Sequence, residues 1–306
     1  MNVSVYAICK NEKHFVERFL NSVQPELQDG DNITILDTGS TDGTIEEFER
    51  FGVTPHSGTI SPWRFDDARN VSLSLVPDDI DVAMCIDLDE VLQPGWREAL
   101  EDSWTDETTR LRYFYVWNWK DDGSPGISYW ADKIHSRHGY RWKLPAHEVL
   151  QYVGSGLEQE SWSNDLVIHH HADNNKPRSQ YLSLMELALR EDPTNDRMQH
   201  YFARELFFYN RFPESAEWFQ KHLDNPNSTW RHERAESMMY LSKMPGNEMW
   251  KDMWTYRAAA EAPERRDVWF HLGDREMEKG NQSLASEFYL RANSLPKDQL
   301  YLSSGR

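Results

Sequence analysis

Val82-Ala-Met-Cys-Ile86 is an unbroken apolar run, and Asp87-Leu-Asp89-Glu90 follows it with no residue between. An apolar run ending in an acidic turn reads as a buried strand with charge gathered at its carboxyl end. The same reading extends outward. Residues 3–9 and 33–36 are further strands, and residues 12–23 form a helix with Phe15, Phe19 and Val23 on one face. Residues 44–51 and 66–75 are also helical. Such alternation is that of an α/β layer. Residues 110–120 (RLRYFYVWNWK) are aromatic and β-prone, residues 121–126 hold the Gly, Pro and Asp of a turn, and residues 129–153 and 166–171 supply more strands and loops. An α/β start passing into a β-rich stretch is expected to be one domain, residues 1–175.

From about Pro177 the pattern becomes purely helical, over residues 178–190, 196–209, 213–223, 230–241, 248–261, 268–279 and 283–294. Pro193, Pro226, Pro263 and Pro296 punctuate it at intervals of 33, 37 and 33, the period of a helix-pair solenoid. Trp269, Leu272-Gly273, Ala285, Tyr289 and Ala292 resemble the tetratricopeptide pattern, with Glu276 where an aromatic is usual. The expected second domain is therefore a TPR-like helical repeat, residues 176–306, with an irregular helical bundle as the plainer reading.

The chain has 306 residues, 33 Lys+Arg and 51 Asp+Glu, for a formal net charge of −18. With 39% apolar and 27% charged residues it has the composition of a globular protein and not of a fibre or a disordered tail. The charge is uneven. Residues 1–175 hold 14 basic and 31 acidic side chains, a net of −17, and residues 176–306 hold 19 and 20, a net of −1. Bulk acidity argues against a surface that clamps polyanions throughout, but the neutral second half weakens that exclusion. Cys9 and Cys85 both sit in apolar runs and read as buried reduced thiols. With no leader-like segment and no apolar run of about 18 residues, the expectation is a soluble, cytoplasmic protein without membrane insertion.

Asp37-Thr-Gly-Ser-Thr-Asp-Gly-Thr44 follows the second strand and opens a helix. Its glycines permit close backbone approach, and its acid stands where a nucleoside hydroxyl is commonly received; a well-capped turn without ligand is the plainer reading. Asp-x-Asp alone says little here, since Asp29-x-Asp31 and Asp79-x-Asp81 recur. Asp87 and Asp89 differ in following a strand directly, where two carboxylates favour a divalent cation as companion. His169-His170-His171 alternate in direction, so one or two of them complete a metal site or form a solvated turn. Lys133, His135, Arg137, His138, Arg141 and Lys143 read foremost as one solvated hairpin face, and alternatively as a patch for a diphosphate or an anionic acceptor. Tyr113, Tyr115, Trp117 and Trp119 fall on one strand face at period two, for core packing or sugar stacking. The helical tryptophans, Trp218, Trp230, Trp250, Trp254 and Trp269, are expected to pack between repeats.

The ordered set Ile8-Cys-Lys-Asn11-Glu12, Asp37–Thr44, Asp66-Asp-Ala-Arg69-Asn70, Asp87-Leu-Asp89-Glu90, Pro145-Ala-His147-Glu148 and Ile168-His169-His170 resembles the inverting family 2 glycosyltransferases of GT-A fold. The resemblance is to the branch that carries a tetratricopeptide region after the transferase domain. It implies a Rossmann-like mixed sheet, a UDP-sugar donor (UDP-glucose by family frequency) and Mn2+ or Mg2+. It also implies that Asn11, Glu12 and Asp37 line the uridine pocket, Arg69 reaches the diphosphate, Asp87 lies by the sugar or ribose, and Asp89 ligates the metal. His170 aligns with the family's late metal-binding His, although Ala172-Asp173 departs from the usual Gly-Tyr. An attacking acceptor hydroxyl needs a positioned carboxylate, for which Glu148 is the candidate and Asp173 the reserve; pairing of Glu148 with a nearby Arg is the alternative. A macromolecular acceptor, protein or glycan, and a homodimer through the repeats are the expected partners. Two other functions fit: transfer to modified bases in DNA, which needs a basic stripe such as Arg231, Arg234, Arg265 and Arg266, and a non-catalytic scaffold.

Overall fold

In the computed structural model, which describes residues 1–172, 179–246 and 248–296, the first apolar run is strand β1 (Val3–Cys9), almost wholly buried. Helix α1 (Lys13–Val23) covers it with Phe15, Val16, Phe19, Leu20 and Val23, spaced three and four apart on one face. Each such side chain, once buried, contributes about 1.5–3 kcal/mol. Then come β2 (Asn32–Asp37), α2 (Thr44–Arg50), β3 (His56–Ser57), α3 (Phe65–Leu75), β4 (Val82–Cys85), β5 (Glu90–Leu92), α4 (Trp96–Ser103), β6 (Arg110–Val116), β7 (Ser128–Ser136), β8 (Tyr140–Lys143), β9 (Val149–Tyr152) and β10 (Glu160–His170). Eight strands join in the order β3-β2-β1-β4-β7-β6-β10-β5, and β8 and β9 form a separate hairpin. Strands β1 to β4 are parallel, β7 runs against both β4 and β6, and β5 runs against β10. A mixed eight-stranded sheet of this kind fits the GT-A architecture that the motifs imply.

Helix α3 is tied to the hairpin. Asn70 donates to the Trp142 carbonyl and accepts from its N–H, both at 2.9 Å, and Phe65 N–H donates to Pro145 O at 3.1 Å. These bonds carry the segment after β8 back over the sheet edge.

Three short elements lie outside the sequence expectations: β3, β5 and α4. Strand β5 has three residues and exists because it pairs with β10, setting His170 opposite Glu90; nothing local marks it. The four-ring face is also not as expected. Tyr113 and Tyr115 enter the core at 0% and 4% exposure, but Trp117 and Trp119 lie past the end of β6 and are 42% and 40% exposed. The basic run is likewise not one hairpin face. His135 is buried against Tyr6, its imidazole held down to about 3 by burial, and Arg137 donates to the Val76 carbonyl.

The chain divides into two units, Met1–Pro177 and Arg178–Arg306. Described by itself, the second holds α5 (Ser179–Glu191), α6 (Asp196–Phe208), α7 (Phe212–Asp224), α8 (Arg231–Lys243), α9 (Glu248–Glu261), α10 (Arg266–Glu278) and α11 (Gln282–Ser294). Each helix packs on the next. Asn195 caps α6 by accepting from Met198 N–H at 2.9 Å. Gly273 lies flush against Tyr289, so that even a methyl group there would strike the ring. Glu276 is buried but satisfied by Lys279 at 2.8 Å and Asn281 at 2.6 Å, which explains an acid where a ring was expected. Trp254 is buried and Trp218 and Trp269 pack against the core, whereas Trp230 and Trp250 are exposed, contrary to expectation. Among the described residues no helix is long and apolar enough to cross a membrane.

Candidate active site

Parallel pairing sets Cys9 beside Asp37 and Tyr6 beside Cys85, so the carboxyl ends of β1, β2 and β4 lie side by side. That edge of an α/β sheet is where ligands bind, because the loops diverge there and leave a crevice. Asp37 is 1% exposed, and its Oδ1 accepts from Gly39 N–H at 2.9 Å and Ser40 N–H at 3.0 Å. Burial opposes its charge, but the Ser40 and Gly39 hydrogen bonds outweigh it and hold the carboxyl below its usual range. Gly39 takes φ +106°, where a side chain is strained, and so permits this tight turn. Asn11, itself at φ 56°, stitches the two loops together. Its Oδ1 accepts from Thr41 N–H at 2.7 Å and its N–H donates to Ser40 Oγ at 2.8 Å. Glu12 is buried next to it, its N–H donating to Thr44 Oγ1 at 2.9 Å. Asn11, Glu12 and Asp37 therefore lie on two loops that are hydrogen-bonded to one another at the ends of β1 and β2.

One strand further on lies a buried ionic network. Arg69 on α3 donates from Nη1 and Nη2 to the two oxygens of Asp87, at 2.8 and 3.2 Å, and from Nε to Glu148 Oε1 at 2.6 Å. Its guanidinium also lies over the Trp142 ring at 5.0 Å. Lys133 on β7 places Nζ 3.0 Å from Asp87 Oδ2 and 2.7 and 2.8 Å from the two oxygens of Glu90. Tyr115 donates to Glu90 Oε1 at 2.7 Å. Burial works against both carboxylates; Arg69 and Lys133 nevertheless hold Asp87 far below the usual range. Glu90 is pushed up instead, since burial and the nearby Asp87 and Asp89 outweigh Lys133. Arg69 is thus bonded within the protein to both Asp87 and Glu148.

Asp89 and His170 also converge. His170 Nε2 stands 3.5 Å from Asp89 Oδ2, and His170 Nδ1 donates to the Trp117 carbonyl at 3.0 Å. The ring stacks on Trp117 with centroids 4.5 Å apart. Burial would lower the His170 pKa, but Asp89 raises it above the ordinary value. Of its neighbours, His171 uses its backbone N–H on Asp89 O at 2.7 Å, and His169 turns toward Trp119, centroids 5.0 Å apart. Asp173, the reserve base, lies outside the described residues.

Lys133, Glu90 and Tyr115 are the site residues that sequence reasoning missed as such. Lys133 sat inside a run of positive charge, and only the register of β7 against β4 and β6 shows that it points into the acidic centre.

A comparison with curated proteins finds no match. Among solved structures, the chain is similar to glucosyl-3-phosphoglycerate synthase from Mycobacterium tuberculosis in complex with Mn2+ and UDP-glucose, and to the same protein with phosphoglyceric acid or with Mg2+ and UDP. Identity is 25% and the TM-score 0.33, over 37% of this chain and 43% or 44% of that one. This chain thus spans less than half of that protein's length. Residues 4–149, which hold every acidic and basic group of the crevice except His170, match the family model Glycosyl transferase family 2.

Proposed function

We propose that the chain is a glycosyltransferase that moves a sugar from a UDP-sugar, UDP-glucose or one like it, to a hydroxyl of a large acceptor by single displacement with inversion. The observation that carries this reading is the convergence of Asp87, Asp89, Arg69, Glu148 and His170 at the end of β4, beside the loops of Asn11, Glu12 and Asp37.

Asn11, Glu12 and Asp37 receive the uridine. Asp37 has Oδ1 filled by backbone N–H groups, while the Cys9 thiol lies 3.5 Å from Oδ2, a weak donor that a nucleoside donor group can outcompete. Asp89 and His170 would hold the divalent ion. The donor set fits: a carbonyl at His170 Nδ1 requires a proton there, so the Nε2 lone pair of the neutral ring faces Asp89. One imidazole in the set favours Mn2+ over Mg2+. Such an ion supplies Lewis-acid stabilisation of the charge that grows on the leaving diphosphate. Asp87 lies by the sugar or ribose, fixed by Arg69 and Lys133. Glu148 takes the proton of the attacking hydroxyl; Arg69 holds its Oε1, and Oε2 has no partner among the described residues. Exposed Trp117 and Trp119 beside the histidines offer flat faces on which an acceptor sugar stacks.

The helical unit is read as TPR-like, presenting or recognising the acceptor and offering a dimer surface. Its support is the close packing of Gly273 on Tyr289 together with buried Leu272, Ala285 and Ala292. A cytoplasmic setting agrees with the two buried free thiols. DNA as acceptor is disfavoured: Arg231 and Arg234 bond to Glu261 and Glu264, Arg265 is buried on Glu236, and Arg266 binds the Ala292 carbonyl and Asn293. No free basic stripe is left by those four. The intact network at Asp87 and Asp89 likewise disfavours a mere scaffold.

The deciding assay is release of UDP from UDP-glucose, and from a panel of other UDP-sugars, with Mn2+ and with EDTA. Release that EDTA stops is expected; no donor consumed with any divalent ion defeats the reading. Glu148→Gln keeps an acceptor for Arg69 but no base, so kcat is expected to fall at least about 100-fold with UDP affinity unchanged. An unchanged kcat would reduce Glu148 to a partner of Arg69.

A further inference from the structure

Asp196, His222 and Glu233 come from three successive helices, α6, α7 and α8, and each offers a ligand atom within 4.8 Å of the other two. His222 is 0% and Glu233 3% exposed. The Glu233 carboxylate meets His222 Nε2 at 3.5 Å and, among the described residues, has no Lys or Arg beside it. Three other buried carboxylates are met by a cation, Glu90 by Lys133, Glu236 by Arg265 and Glu276 by Lys279, and Asp37 is met by backbone N–H groups instead. Two carboxylates this close repel unless positive charge lies between them. The field of a helix N-terminus accounts for acids in the first turns of α6 and α8, but not for burying one of them against an imidazole.

The imidazole is held as a ligand would be. His222 Nδ1 lies 2.9 Å from Ser237 Oγ, which is itself 2.8 Å from His200 Nδ1, and His222 Nε2 lies 2.8 Å from Ser228 Oγ. A hydroxyl has one proton, so Ser237 donates to only one of the two rings. With His200 as recipient, His222 carries its proton on Nδ1 and its Nε2 accepts from Ser228, beside Glu233 at 3.5 Å; a metal on Nε2 takes that lone pair and the Ser228 hydroxyl turns away. A ring N–H anchored on a neighbour is the arrangement that orients metal-binding histidines.

We infer that Asp196, His222 and Glu233 bind one transition-metal dication of the Zn2+ or Mn2+ class, clipping α6, α7 and α8 together. One nitrogen and two carboxylate oxygens suit such ions, whereas Mg2+ and Ca2+ prefer oxygen alone. Bonds of about 2.0–2.2 Å set ligand atoms roughly 3–4 Å apart. His222 and Glu233 already have that spacing, and Asp196, partly exposed at the start of α6, closes by side-chain rotation.

The site is tested in the full chain carrying Asp89→Ala, which removes the proposed donor-site ligand. Metal is stripped with a chelator and Co2+ is titrated back, followed by its visible absorption and by bound stoichiometry. One equivalent, displaced by Zn2+ and accompanied by a higher melting temperature, is expected. Adding Asp196→Asn or Glu233→Gln should weaken binding more than about 100-fold, and Ser237→Ala about 10–100-fold. Asp196 is partly exposed, so Asp196→Asn decides the matter if Glu233→Gln fails to fold. No bound Co2+, or unchanged affinity in folded Asp196→Asn, overturns the site, whatever the transferase assay shows.

Discussion

Asp89→Ala is expected to abolish metal-dependent UDP release while the protein stays folded. The Asp89 side chain is 16% exposed and its ion-pair partner is His170 at 3.5 Å, whereas Asp87 and Glu90 keep Lys133 and Arg69. Its carbonyl continues to accept from His171 N–H, so β5 and β10 stay joined. The contact is long and its imidazole can shed its proton once Asp89 is gone, so the structural loss is about 1–2 kcal/mol. The functional loss is much larger. Lewis-acid stabilisation of a leaving group is worth several kcal/mol, and each 1.36 kcal/mol is tenfold in rate, so turnover should fall by about 10^3 or more. The measurement is UDP release across a range of Mn2+ concentrations, with a melting curve alongside. Normal turnover at saturating Mn2+ in a folded Asp89→Ala protein would remove Asp89 from the metal site.

What could be read in the sequence divides along a physical line. Strands β1, β2 and β4 announce themselves because burial demands continuous apolar residues. The acids at their carboxyl ends follow, since a loop at that edge has room for a ligand. The seven described helices of the second unit are equally legible from their periodicity. Pairing across the fold is not. Arg69 and Glu148 meet because Asn70 and Phe65 anchor the β8–β9 hairpin to α3, and no local pattern encodes that contact. Strand β5 is invisible because three residues carry no period, yet it sets His170 opposite Glu90. Lys133 is the clearest case. By type and neighbours it belongs to an exposed basic run; by register it is the cation that an acidic centre requires.

That requirement makes Lys133→Met the most informative change to stability. The native ammonium contacts three carboxylate oxygens, of Asp87 and Glu90, within 3.0 Å. Methionine fills similar volume, so little packing is lost, but the two acids are left with Arg69 on Asp87 alone. Removing one partner of a buried ion pair costs about 3–5 kcal/mol because an uncompensated charge stays behind. Urea unfolding at neutral pH should show a loss of that order. Glu90, already pushed up, is expected to escape by protonating, which gives the sign of the pH dependence. A group whose folded pKa is raised binds a proton more readily in the native state, so the penalty shrinks as pH falls and grows as pH rises. The double variant Lys133→Met/Glu90→Gln removes the stranded charge and should recover most of the loss, with Tyr115 still donating to the amide oxygen. If the double variant is no more stable than the single one, the loss comes from packing, and Lys133 is not the counter-charge of this site.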